Sequence, residues 1–211
     1  MLPTWLITDK PVLIFGMMNF ELFPLISFYH SNIKSIMIVN LRSFRKKVLT
    51  CKKSMRSFLT RIENKPPKAL HKMADHADKE VWQEIDCLTC GNCCKKMTPT
   101  FTPKDIKRIS AHLEMTPLAF KEKWLTFDKK DGDWQNKKQP CQFFNRTDYK
   151  CSIYPVRPAD CSGFPHLTKK KVTDYLHVHR QNIQYCPATF KWVEKMQVLV
   201  KNGMPTGTHL Q

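Results

Sequence analysis

Residues 87–94 read CLTCGNCC, placing Cys87, Cys90, Cys93 and Cys94 within eight positions. Three kinds of chemistry use that much sulfur in one turn: disulfides, a catalytic thiol, or metal ligation. A catalytic cysteine needs a base and no companions, so the decision falls to the other cysteines. The chain has nine, the rest being Cys51, Cys141, Cys151, Cys161 and Cys186. An odd count, uneven spacing and a length of 211 residues do not suit a small secreted disulfide scaffold.

The first residues point the same way. MLPTWLITDK lacks a basic leader, and the apolar stretch behind it is broken by Pro11, Gly16, Glu21 and Pro24. The longest uncharged run there falls short of the roughly 18–20 residues a spanning helix needs. We expect no transmembrane span and a reducing, cytoplasmic setting, in which thiols remain free for metal.

C-x2-C spacing lets a tight turn bring two thiolates to one ion, and Gly91 suits that turn. Cys51 falls on the apolar stripe of a helix, where a thiol acts as a small hydrophobe. Eight cysteines remain: two sets of four, the number wanted by tetrahedral zinc and by a [4Fe–4S] cluster alike. C-x2-C-x2-C with a distant Cys-Pro, here Cys186-Pro187, also resembles the bacterial iron–sulfur run, except that Cys94 directly follows Cys93. Adjacent side chains of an extended chain point to opposite faces. We therefore expect two centres, Cys87, Cys90, Cys93 and Cys186 at one, Cys94, Cys141, Cys151 and Cys161 at the other. Four thiolates around a dication keep a net negative charge, so Lys95, Lys96, Lys150 and Arg157 are expected close by, and His166 next to the ligands rather than among them.

CLTCGNCC followed by CQFFNRTDYKCSIYPVRPADCSGFPH resembles the YkgJ-type cysteine-cluster family, described as chelating zinc or iron. The shared elements are C-x2-C-x2-C-C, a cysteine before a short hairpin, and then Cys151, Ile153, Tyr154, Arg157, Pro158, Cys161 and the Phe164-Pro165 pair. The resemblance covers about residues 80–190. The same domain occurs in flagellin lysine-N-methylases, which implies an iron–sulfur centre as one form of the metal. Methylation is not carried over, because the chain is short and shows no glycine-rich nucleotide loop among its six glycines. The resemblance implies a binding site and names no reaction, substrate or partner.

The remaining sequence sets the organisation. Residues 1–36 are charge-balanced and follow neither helical nor strand periodicity, so we expect an extension ahead of a natural start at Met37. Residues 37–79 form a basic helical segment, 80–203 the cysteine-cluster domain and 204–211 a loose tail. One helix is expected from Asn40 to Pro66 through Phe44, Val48, Cys51, Met55, Phe58 and Ile62, and a second through Leu70, Met73, Ala77, Val81 and Ile85. Thr102-Pro103, Thr116-Pro117 and Cys186-Pro187 each open a further helix. Residues 128–140 read as a polar loop, 141–154 as a hairpin, and His177 and His179 as one solvent-facing side of a strand. Trp82 and Trp124 are expected in the core. The fold class is α+β: a small, mostly helical domain with one short β-hairpin and long loops around cysteine-ligated metal.

The chain carries 35 Lys and Arg against 18 Asp and Glu, a formal charge of +17. Much of the excess lies in 41–72, where only Glu63 opposes Arg42, Arg45, Lys46, Lys47, Lys52, Lys53 and their neighbours. That allows a second function, a zinc-stabilised module binding nucleic acid through the basic helix. Against it, the helix keeps an apolar stripe and lacks the interleaved aromatics of a base-stacking surface. Metal buffering or delivery is a third reading, and it would require labile sites.

Overall fold

The computed structural model describes residues 39–168 and 171–204. The expected extension at 1–36 and residues 205–211 of the expected tail lie outside the described residues.

Helix α1 (Leu41–Asn64) starts at Asn40, whose side chain accepts from the Ser43 N–H at 3.0 Å. It buries Phe44, Val48, Met55, Phe58, Leu59 and Ile62 along one stripe and stops just before Pro66-Pro67. Cys51 is half-buried against the same core, as its position on that stripe implies. Helix α2 (Leu70–Glu84) buries Leu70, Met73, Ala74, Ala77 and Val81. These two pack with α7 (Val172–Asn182) and α8 (Pro187–Asn202) into a four-helix assembly, α2 on α8 and α1 on both α7 and α8. Its centre is Trp192, fully buried, with Nε1 donating to Ala74 O at 3.2 Å. Phe44 meets Phe190 edge-on at 5.6 Å.

A second apolar cluster forms around α4 (Pro103–His112) and α5 (Pro117–Trp124). Both start at a threonine cap followed by proline, and Thr102 completes a reciprocal capping box with Asp105. Phe101, Ile106, Ile109, Phe120, Leu125, Phe143 and Ile153 are buried together, with Trp124 packed against them. Trp82, by contrast, is exposed and donates its Nε1–H to Asp78 at 2.7 Å.

Three strands, β1 (Thr100–Phe101), β2 (Leu125–Asp128) and β3 (Asp133–Asn136), form an antiparallel sheet in the order β1-β3-β2. Phe101 and Phe127 both face Trp134 across the ladder. The hairpin therefore lies partly in the stretch expected to be a polar loop, turning at Gly132 with φ +72°. Cross-strand aromatic pairing there outweighs the polarity of the turn. The expected hairpin at 141–154 reduces to a single bridge between Phe144 and Cys151. His177 and His179 lie on helix α7, not on a strand. Residues two positions apart on a helix are some 200° apart, so His177 is exposed while His179 is fully buried.

Candidate metal centre

The cysteine segments touch both apolar clusters. Cys186 belongs to the helical core, and Cys141 and Cys151 pack against the second cluster. Asp86 caps a short 3-10 turn at Cys87–Thr89 by accepting from Leu88 N–H at 2.8 Å, and Cys90 N–H returns to Cys87 O at 3.2 Å. Gly91 then takes φ +56°, and a Cβ there would stand 2.6 Å from the Phe144 ring. Helix α3 (Asn92–Lys96) follows and is anchored at both sides. Asn92 Nδ2 donates to Tyr185 O at 2.6 Å, beside Cys186, and Cys94 O accepts from Cys141 N–H at 2.9 Å. Ser152 N–H donates to Phe143 O at 2.8 Å, which together with the Phe144–Cys151 bridge brings Cys151 toward the Cys141 segment.

Cys161 lies on α6 (Ala159–Gly163). Its start is held by the buried Asp105, whose Oδ1 accepts from Ala159 N–H at 3.1 Å and Arg108 Nη2 at 2.7 Å. The neighbouring Asp160 accepts from Thr100 N–H at 3.1 Å. Cys186 is the N-cap of α8, and its Sγ accepts from Thr189 N–H at 3.5 Å.

The backbone at Cys93 and Cys94 is helical, not extended. Their side chains are turned about 100° from one another instead of opposed, and the two sulfurs stand 3.9 Å apart. That separation is close to the ~3.8 Å edge of a tetrahedron of sulfurs bound at ~2.3 Å.

Through-space interactions connect the thiols. Cys87 acts with Cys186, Cys90 and Cys94, and Cys90 also acts with Cys94. Cys161 acts with Cys141, Cys94 and Cys151, and Cys151 with Cys141 and Cys94. Burial, then the neighbouring Cys186 and Cys90, pushes the Cys87 thiol up to about 12. Burial and then Asp160 and the other thiols push Cys161 further up. At Cys94 the contact with Cys93 is the leading cause of a large upward shift, followed by burial. Burial also raises Cys90, Cys141, Cys151 and Cys186, against donors that favour their charged forms. Those donors are the Asn92 N–H at Cys90, Phe143 N–H at Cys141, Ile153 N–H at Cys151, and Thr189 and Ala188 at Cys186.

Of the expected neighbours, Lys95 favours charge on Cys90 and Cys94, held above the Tyr149 ring at 4.1 Å. Arg157 favours charge on Cys151 while it stacks over Tyr154 at 3.9 Å. Lys150 is exposed, with its N–H on Asp148 Oδ1 and its carbonyl accepting from Asn145 within the turn. Lys96 is also exposed. His166 meets no sulfur in these contacts: its Nε2 stands 3.3 Å from Asp160 Oδ1, between the rings of Phe164 and Tyr175. Asn92, Asn136 and Thr189 were not legible as site residues. The signal in the sequence is that Asn92 directly precedes Cys93 and that Thr189 stands three residues after Cys186, while Asn136, at the end of β3, has none.

Among the described residues, no three Cys, His, Asp or Glu side chains already converge as the ligands of one ion. The fit to metal is chemical. Protonated thiols have no charge to draw them together, whereas a dication cancels the mutual thiolate repulsion and the desolvation cost that raise their pKa values. N–H donors and two cations then meet the residual negative charge. The set suits a thiophilic transition metal, zinc or iron, better than calcium or magnesium, which take oxygen ligands.

Such a constellation defines a class, a thiol-rich metal-chelating domain. Residues 86–187 match the CxxCxxCC family model, described as "Putative zinc- or iron-chelating domain". The match covers the cysteine-bearing segment. The uncharacterized protein MJ0661 of Methanocaldococcus jannaschii is 31% identical over 81 residues, 38% of this chain and 43% of its own length. The aligned stretch thus spans less than half of that relative. No solved structure matches the chain.

Proposed function

We propose that the chain chelates zinc, or iron as an iron–sulfur cluster, at two positions through Cys87, Cys90, Cys93, Cys94, Cys141, Cys151, Cys161 and Cys186. The observation that supports this best is the set of eight free thiols, Cys186 in one apolar cluster and Cys141 and Cys151 against the other, with Asn92, Thr189, Lys95 and Arg157 favouring charged forms among them. An iron–sulfur cluster would add redox activity or a part in a larger enzyme, and zinc would make the role structural. A reducing cytoplasm keeps the thiols available for either. The test is the colour and metal content of full-length protein purified without oxygen. A visible charge-transfer band with iron and sulfide identifies the cluster, and colourless protein with zinc identifies the ion. Metal-free protein that takes up neither on reconstitution refutes chelation.

A second reading comes from the outer face of α1. Arg42, Arg45, Lys46 and Lys53 are exposed, and Glu63 is paired with Arg180 at 2.5 Å. A duplex or single strand of nucleic acid would meet this face through its phosphates. Affinity should then fall steeply with salt, and replacing Arg42, Arg45, Lys46 and Lys53 together by Glu should abolish it. No binding to DNA or RNA at low salt removes this reading.

A further inference from the structure

We infer that the cavity between α2 and the segment after α6 binds a small organic cation bearing N–H donors, a primary alkylammonium or a guanidinium group. None of its residues is a cysteine, and the inference does not depend on chelation.

The cavity has a volume of about 390 Å³ and is walled by Asp78 and Trp82 of α2 and by residues 162–168. Trp82 is 39% exposed, and its Nε1 donates to Asp78 Oδ1 at 2.7 Å. The chain has a formal charge of +17, yet among the described residues no Lys or Arg lines the cavity or pairs with Asp78. His166 supplies a second polar group. Its side chain is 9% exposed, and Nε2 stands 3.3 Å from Asp160 Oδ1, which can only accept. In the neutral ring that carboxylate places the proton on Nε2 and leaves Nδ1 an acceptor. Nδ1 is buried without a hydrogen-bond partner, a state that native folds rarely leave unanswered. It lies against Gly163, itself a lining residue, where a Cβ would stand 2.9 Å away. Ser162 also lines the cavity, and its hydroxyl proton is committed to Ala159 O at 3.0 Å, so its oxygen can accept.

These groups select the charge and the hydrogen-bonding sense of the ligand. A carboxylate, a ring nitrogen and a hydroxyl oxygen all call for donors, and an indole face favours positive charge. An anion would meet the Asp78 charge, and an apolar molecule would leave Asp78 and Nδ1 unanswered. Asp78 and His166 are too few for a metal ion, and no third ligand side chain converges with them among the described residues. Ammonium and guanidinium groups carry several donors each and keep their charge, so one such group can serve more than one acceptor. Burial holds the Asp78 carboxyl above its ordinary range, against the Trp82 N–H that lowers it, and a bound cation would relieve that cost. Phe164 and Pro165, which ligate nothing, supply apolar wall for an alkyl chain.

The test titrates isotopically labelled full-length protein, as purified under reducing conditions, with butylammonium and then butylguanidinium chloride at constant ionic strength. NMR follows the indole N–H of Trp82, assigned through Trp82→Phe. Saturable shifts are expected with both cations, and none with butanol or butyrate. Asp78→Asn, which keeps the shape and removes the charge, should weaken binding by about tenfold. Butyltrimethylammonium, equal in charge but without N–H groups, should also bind more weakly than butylammonium. The inference is overturned if neither N–H cation gives a saturable shift, if butanol binds as well as butylammonium, or if Asp78→Asn binds as wild type does. Equal affinity for butyltrimethylammonium overturns the role given to the acceptors. If Asp78→Asn does not fold, the wild-type comparison of butylammonium with butanol and butyltrimethylammonium decides. Zinc and iron content, measured on the same samples, reports on chelation separately, so failure of that reading and failure of this site are distinct results.

Discussion

Replacing Gly91 by alanine puts a methyl group where the structure has no room and a backbone angle that L-residues avoid. At φ +56° the left-handed conformation costs a non-glycine residue about 1–2 kcal/mol. The added Cβ would lie 2.6 Å from two atoms of the Phe144 ring, well inside contact distance. Moving that ring costs about 1–3 kcal/mol, as overpacking generally does. It also disturbs Lys95, which lies over both Phe144 and Tyr149. We expect Gly91→Ala to lose roughly 2–5 kcal/mol of stability in total, by summing those two ranges, together with weaker zinc retention, because Gly91 links Cys90 to the helix that carries Cys93 and Cys94. Urea unfolding of the zinc-saturated protein, followed by circular dichroism, measures the first, and competition with a chromogenic chelator the second. The two contributions separate. Gly91→Asn tolerates the backbone angle but keeps the Cβ, and should recover only the conformational part. The pair Gly91→Ala with Phe144→Leu should recover the steric part and show coupling in a double-mutant cycle. A Gly91→Ala protein within about 0.5 kcal/mol of wild type, the range of inert surface changes, with unchanged zinc affinity, would refute the turn's role.

Other expected outcomes follow from the same geometry. Burial, with smaller contributions from His166 and His177, holds His179 down to about 4, below its ordinary 6.5. It is neutral in the fold, so its contribution is fully present above pH 6.5 and is lost as pH falls toward 4, by roughly 3 kcal/mol at most. The stability gap between wild type and His179→Phe in equal zinc should therefore change between pH 7.5 and 4.5, and a constant gap refutes it. Asp105→Ala removes the acceptor for Thr102, Arg108 and Ala159 at once, and should cost about 2–4 kcal/mol while loosening Cys161. Thermal melts and zinc content check it, and an unchanged zinc content refutes the link to Cys161. Strong chelation should lower the melting temperature and increase hydrogen exchange in 141–161 more than in α1 and α8, because the helical core holds its own apolar stripe. Equal exchange in both regions refutes a metal-dependent second cluster.

The sequence by itself determined the elements whose information is local. Apolar spacing set the faces of α1 and α2, and Thr-Pro and Cys-Pro pairs marked the starts of α4, α5 and α8, because caps and stripes depend on residues within one or two turns. The cysteine spacing likewise pointed to a zinc- or iron-chelating segment, in line with the family model that matches 86–187. Tertiary structure alone decided what depends on distant partners. The β2–β3 hairpin owes its place to Phe127 and Trp134 meeting across the ladder, while the expected 141–154 hairpin kept one bridge. His179 was buried by helical rotation against Trp192, at a ring distance of 5.0 Å. Most of all, the relation of Cys93 to Cys94 hinged on whether five residues coil or extend. Spacing cannot report that, because the choice is made by Asn92 reaching Tyr185 and by Cys141 reaching Cys94, contacts that close loops of dozens of residues.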